Sequence, residues 1–151
     1  MIPFLEIKLN SAPLCTRVKR ARNQKMDINR LSSKIIKAAI DVHSALGPGL
    51  LESVYQKCMA IEFDAIGMDF KTEVPLPVLY RDRVITDDGF RIDMLVEDTI
   101  IVELKSVELV KSVHKKQLLT YLRLAKKPIG LLINFNETLL KEGITRIINE
   151  K

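Results

Sequence analysis

The chain has 151 residues, 47% of them apolar and 28% charged, with a net charge of +5; these are the size and composition of a single globular domain with a core of its own. No apolar run approaches the ~20 residues of a membrane-spanning helix, and Glu6, Lys8 and Asn10 interrupt the stretch that a secretory signal would keep apolar. The two cysteines, Cys15 and Cys58, lack metal-ligand spacing, which argues against a zinc knuckle or a disulfide scaffold and for reduced thiols in a cytoplasm.

Residues 1–25 keep no hydrophobic period. They carry six basic residues (Lys8, Arg17, Lys19, Arg20, Arg22, Lys25) against Glu6, whereas residues 26–151 balance 18 basic with 18 acidic. The first 25 residues are expected to be a basic, unordered leader, with Met26 as a candidate natural start. A basic arm that tracks a nucleic-acid backbone is the competing reading.

From Asp27 the pattern sharpens. Leu31, Ile35, Ala38, Val42 and Leu46 recur at helical spacing, with Asp27 or Asn29 as N-cap and Gly47-Pro48-Gly49 as the stop. A second helix is predicted from about Leu50 to Ile66, its apolar side formed by Leu51, Val54, Cys58, Ile61 and Ala65, and Gly67 ends it. Strand pattern follows at 73–80, where two prolines predict an edge strand. Asp87-Asp88-Gly89 reads as a turn, and 90–96 as a second strand alternating Phe90, Ile92, Met94 and Val96 with Arg91, Asp93 and Leu95. A turn at 97–99 leads into "IIVELKS" (100–106), so the last two strands form an antiparallel hairpin. A helix over about 112–125, a buried strand at 129–135 and a closing helix from about Glu137, with Leu140, Ile144, Ile147 and Ile148 inward, complete the chain. The crossover from 100–106 to 129–135 makes those two strands parallel. The expected fold class is α/β, a single mixed β-sheet flanked by helices.

A strand made only to fill a core has no use for Glu103 and Lys105 near its end. Residues two apart on a strand share a face, and closure of the hairpin through 97–99 sets Asp93 almost opposite Glu103. Two carboxylates that close repel unless one holds a proton or a cation lies between them. An oxygen-lined site open to water suits Mg²⁺. A surface cluster of ion pairs is the bland reading. Glu52 follows the Gly-Pro-Gly break with Tyr55 three residues on, and Gln117 and Tyr121 are four apart on the later helix, on one face. Between Leu109 and Asn136 stand six basic residues, Lys111, Lys115, Lys116, Arg123, Lys126 and Lys127, and no acid, a patch suited to phosphates or simply a solvated helix face. His114 beside it could touch phosphate or cap the helix.

Asp93 followed by Glu103-Leu104-Lys105 resembles the motif of the PD-(D/E)XK nuclease superfamily, and Gly49-Leu50-Leu51-Glu52-Ser53-Val54-Tyr55 resembles the pattern of its GxxExxY family. Gln117-x-x-x-Tyr121 is similar to the motif of RecB-like exonucleases in that superfamily. The resemblance covers nearly all of 26–151; Ile92 stands where the superfamily's name has proline. It implies a restriction-endonuclease-like fold and a metal-dependent nuclease acting on DNA. Asp93, Glu103 and the Leu104 carbonyl would hold Mg²⁺ or Mn²⁺, with Glu52 contributing directly or through water. Lys105 would position or activate the attacking water. Gln117, Tyr121, Tyr55, His114, Lys111, Lys115 and Lys116 would serve the substrate. A catalytically silent nucleic-acid-binding or regulatory module is the alternative, and a homodimer or partner protein would be needed for strong sequence specificity.

Overall fold

Helical and strand periods give the computed structural model three helices and one sheet over residues 27–150; residues 1–26, on which the expected basic leader falls, and Lys151 lie outside the described residues. The chain divides after Leu31 into two units. Of the first, the described part is the entry to helix α1 (Ile28–Leu46). Asp27 is the N-cap, its Oδ1 accepting the Asn29 N–H at 3.1 Å and its carbonyl accepting that of Leu31 at 2.9 Å.

The second unit, 32–151, contains the rest of α1, where Ile35, Ala38 and Val42 are buried as the spacing predicts, while Leu46 is exposed. Gly47, at φ +72°, ends the helix with its N–H on the His43 carbonyl. Helix α2 (Glu52–Ala65) corrects the sequence reading. Its buried face is Tyr55, Met59 and Phe63, each fully enclosed, and the stripe expected inside has Leu51 74% and Ile61 66% exposed. Larger rings took the core side. Gly67 (φ +67°) donates to Asp64 and Met68 donates to Phe63, a Schellman ending at the predicted glycine.

Five strands form one mixed sheet in the order β1-β2-β3-β4-β5: β1 (Phe70–Tyr80), β2 (Arg83–Val96), β3 (Ile100–Lys105), β4 (Ile129–Asn134) and β5 (Ile144–Ile148). β3 and β4 are parallel across helix α3 (Ser112–Ala125), as the crossover predicts; the other pairings are antiparallel. β1, with its two prolines, is an edge.

Two local expectations fail. The β1–β2 turn is Arg81-Asp82, both at positive φ between paired Tyr80 and Arg83, not Asp87-Asp88-Gly89. Residues 87–89 instead lie within β2, where the register jumps from Leu76↔Phe90 to Val78↔Thr86. Pro77 has no N–H for the ladder, and opposite it β2 bulges. The closing segment is not a helix: a 3₁₀ turn (Leu140–Gly143) leads into β5, in which Ile144 and Ile147 pair with Ile133 and Gly130. Its β-branched residues suit the free edge of β4.

Helix α3 packs on one face of the sheet, where Leu118, Tyr121 and Leu122 cluster with Leu95, Ile101 and Leu132. Ile100 and Val102, alternating with Ile101, are also fully buried, so both faces of β3 are covered. No helix of the described residues is long and apolar enough to cross a membrane.

Candidate functional site

The β2–β3 ladder is regular at Val96↔Ile100, Leu95↔Ile101 and Met94↔Val102, then stops. One step further, side chains replace backbone partners. Asp93 Oδ2 accepts the Leu104 N–H at 2.9 Å, and Glu103 Oε1 accepts the Asp93 N–H at 3.2 Å. The β1–β2 register likewise passes from Thr72↔Met94 to Val74↔Ile92, leaving out Glu73 and Asp93, and Glu73 holds a left-handed φ of +52°. Ile92 and Leu95, three residues apart, join the same apolar cluster. The twofold alternation of β2 therefore breaks at Asp93.

Helix α2 clamps that break. Gln56 Nε2 donates both to the Asp93 carbonyl (2.8 Å) and to Glu73 Oε1 (2.9 Å). Glu52, one turn earlier, accepts the Ser106 N–H at 3.3 Å, and the Ser106 hydroxyl donates to the Leu50 carbonyl at 2.7 Å. Glu52, Ser53, Gln56, Glu73, Asp93 and Leu104 line a cleft of about 180 Å³. Tyr55 does not face it. Its ring is fully buried, stacked on Phe135 at 4.3 Å, while its hydroxyl donates to the Gly47 carbonyl and accepts the Leu50 N–H. It braces the turn that carries Glu52 and is not placed to touch a substrate.

The electrostatics follow from burial. Glu103 is 6% exposed. Removal from water pushes its carboxyl up to about 8, and the nearby Asp93 charge pushes the same way. Asp93 is also raised by burial, restrained by the Leu104 N–H it accepts and by its hydrogen bond with Glu103. Burial thus favours the protonated form of both carboxyls. The Lys105 charge opposes both effects without cancelling them. On the other side of Glu103 lies Tyr121, its phenol pushed up by burial and then by the Glu103 charge, and its oxygen accepts from Gln117 Nε2 at 2.7 Å.

The predicted carboxylates, Lys105, and the Gln117–Tyr121 pair thus converge on one end of β3. The basic residues do not. Lys111, Lys115 and Lys116 are exposed, and helical geometry turns Lys115, Lys116, Arg123 and Lys126 roughly 100° or more from the flank of Gln117 and Tyr121. His114 caps α3, its Nδ1 accepting the Lys111 N–H at 3.1 Å. Gln56, Glu73, Ser106 and Asn134 escape the sequence reading. Asn134, wholly buried, accepts the Val107 N–H on Oδ1 (3.1 Å) and donates from Nδ2 to the Val107 carbonyl (2.8 Å), fixing the chain just beyond Lys105. The contacts that tie them to the site span 17 to 56 positions in sequence, so no local period marks them. A polar residue at the end of an apolar strand, as Asn134 is, was the one available signal.

Among the described residues no three His, Cys, Asp or Glu side chains converge as a ready cation cage. What converges is the buried Glu103 carboxyl and the half-buried Asp93 carboxyl, with a strand carbonyl beside them. Leu104 turns its N–H toward Asp93, and a strand residue's carbonyl points the same way. That is a hard-oxygen set with positions left for water. The sequence matches the family model of the PD-(D/E)XK nuclease superfamily over residues 29–147. No curated protein and no solved structure matches it.

Proposed function

This chain belongs to the PD-(D/E)XK nuclease superfamily, and on that premise we propose that it hydrolyses phosphodiester bonds in DNA with a divalent metal ion, as a cytoplasmic member of the GxxExxY branch. The observation that carries the proposal is the crossed pair of contacts from Asp93 to Leu104 and from Glu103 to Asp93. Protein folding alone gains little from burying two carboxylates together. A divalent cation held between them would offset the repulsion of the two carboxylates.

Asp93, Glu103 and the Leu104 carbonyl would hold Mg²⁺ or Mn²⁺, with Glu52 reaching the same cleft from α2. The ion supplies Lewis-acid polarisation of a phosphoryl oxygen and a more acidic water. Lys105, on the same strand face as Glu103, orients the attacking water and offsets charge growing on the phosphate. Gln117 and Tyr121 hold the Glu103 side of the site, the phenol keeping its proton because burial and the carboxylates raise its pKa. Lys111, Lys115 and Lys116, turned outward, contact phosphates beyond the reacting one. Glu52 and Asp93 facing a polyanion would repel it without a cation between, which favours a nuclease over a binding module.

Calorimetry with Mg²⁺ and Mn²⁺ tests this on the wild type, Asp93→Ala and Glu103→Ala, each checked for folding by circular dichroism. Saturable binding by the wild type, lost in both variants, is the expected result. Cleavage of linear and circular DNA, abolished by Lys105→Ala with metal binding retained, completes it. A folded protein that binds no metal even with DNA present would overturn the mechanism and leave a catalytically silent nucleic-acid-binding module.

A further inference from the structure

Helix α2 has two apolar faces, and among the described residues only one is packed against the sheet. Opposite-flank residues Leu51, Val54 and Ile61 are 74%, 37% and 66% exposed, with Cys58 half-buried and Ala65 exposed between and beyond them. Their spacing of three and four residues is the a/d repeat of a coiled coil, with Cys58 and Ala65 at a, Val54 and Ile61 at d, and the N-cap Leu51 extending the seam just before the helix. A sustained apolar seam on a surface helix marks an interaction site.

We propose that α2 pairs antiparallel with α2 of a second copy about a two-fold axis. The seam is complementary to its own reverse. With Cys58 against Ile61 of the second copy, the same register sets Val54 against Ala65, and the symmetry makes each contact twice. Charge selects the direction. Glu62, on one flank of the seam, lies in the field of Lys37 on α1. Lys57 and Asp64 are exposed on the other flank and make no ion pair among the described residues. They are seven apart, at g positions, and antiparallel pairing brings g against g, so that Lys57 faces Asp64 of the second copy twice. Glu52 is nine residues, two and a half turns, from Ile61 and so on the far side of the helix. The dimer therefore leaves the cleft at Asp93 open. Fourteen residues at 1.5 Å each give a seam of only about 21 Å, and an interface that small places dissociation in the micromolar range.

The test is sedimentation equilibrium of the full chain without metal, from about 1 to about 500 µM, a range chosen to bracket that affinity. We expect a monomer–dimer equilibrium. Ile61→Lys should abolish it, and Lys57→Glu and Asp64→Lys should each weaken it about tenfold, since two attractive pairs become repulsive. The double variant Lys57→Glu/Asp64→Lys should restore it. All three positions are exposed, so folding is retained and circular dichroism verifies it. A chain monomeric throughout, or a dimer indifferent to Ile61→Lys, overturns the proposal, as does a double variant no better than the singles. None of these readouts depends on metal or nuclease activity, so the two proposals fail separately.

Discussion

The two ends of the β2–β3 hairpin are built from one stretch of chain on opposite principles. At Ile100–Val102 every side chain is buried and apolar and the backbone closes a regular ladder. One register step beyond, at Asp93 and Glu103, the ladder is abandoned and carboxylates take the backbone donors. The first end secures the fold through transfer of apolar surface from water. The second gives up part of that stability to a charged, strained arrangement, as reactive sites commonly do. The regular end makes the irregular end tolerable, and the boundary between them is a single residue pair.

Moving the chemistry across that boundary should show the largest effect. Ile101 shares a strand face with Glu103, two residues away. Ile101→Glu sets a carboxylate where backbone donors are already committed to the ladder, and should cost about 5 kcal/mol or more. Urea unfolding is expected to find the variant largely unfolded, although the wild type carries the same side chain at 103. A folded variant with near-native stability would mean that the two ends do not differ as described.

Proton linkage probes the charged end alone. Glu103 has its folded pKa raised to about 8 from 4.5, so between those values the native state holds a proton that the unfolded chain has released. Stability from this group is complete below about pH 4.5 and is lost as pH rises to about 8. The metal-free wild type should lose on the order of 3 kcal/mol across that window, at most roughly 1.4 kcal/mol for each step of one in pH and less where the two carboxyls titrate together. Glu103→Gln should flatten the slope in urea melts over the same range. An equal slope in both proteins would remove Glu103 as its source.

Gln56→Leu removes the clamp. It leaves the Asp93 carbonyl without its donor and should cost about 1–3 kcal/mol. It should also weaken Mg²⁺ binding about tenfold by loosening Asp93, the usual scale for a group that orients a ligand. Calorimetry on the folded variant reads the second effect directly. Unchanged metal affinity would reduce Gln56 to a packing role.

The regular end was legible because local patterns determine it. Alternation, a three-residue connection and an apolar run give β2, β3 and their register, and with them the juxtaposition of Asp93 and Glu103. Tertiary competition decided what was misread. Helix α2 offers two apolar faces, and periodicity alone cannot say that Tyr55, Met59 and Phe63 outcompete Leu51, Val54 and Ile61 for the sheet. β5 is five residues long, too short for its isoleucines to separate a period of 2 from one of 3.6. The break at Asp93 depends on Gln56, 37 positions away, and on a glutamate at positive φ, neither of which a local pattern announces.

The smallest effect concerns backbone strain of equal size at two places with different roles. Glu73 at φ +52° borders the site, and Lys126 at φ +54° ends α3, where the Lys127 N–H reaches the Leu122 carbonyl at 2.9 Å. Both are positions that glycine fills with less strain. Lys126 makes no side-chain contact that the substitution would forfeit among those described, so Lys126→Gly should gain about 0.5–1 kcal/mol, the strain relieved less the entropy glycine adds to the unfolded chain. Glu73→Gly relieves the same strain but gives up the hydrogen bond from Gln56, which at about 0.5–1.5 kcal/mol should cancel the gain. Thermal melts of both variants, and of both in a Gln56→Leu background, isolate the difference. There the bond is already gone, and Glu73→Gly should gain as much as Lys126→Gly; a continued shortfall would mean that Glu73 is held by something other than Gln56.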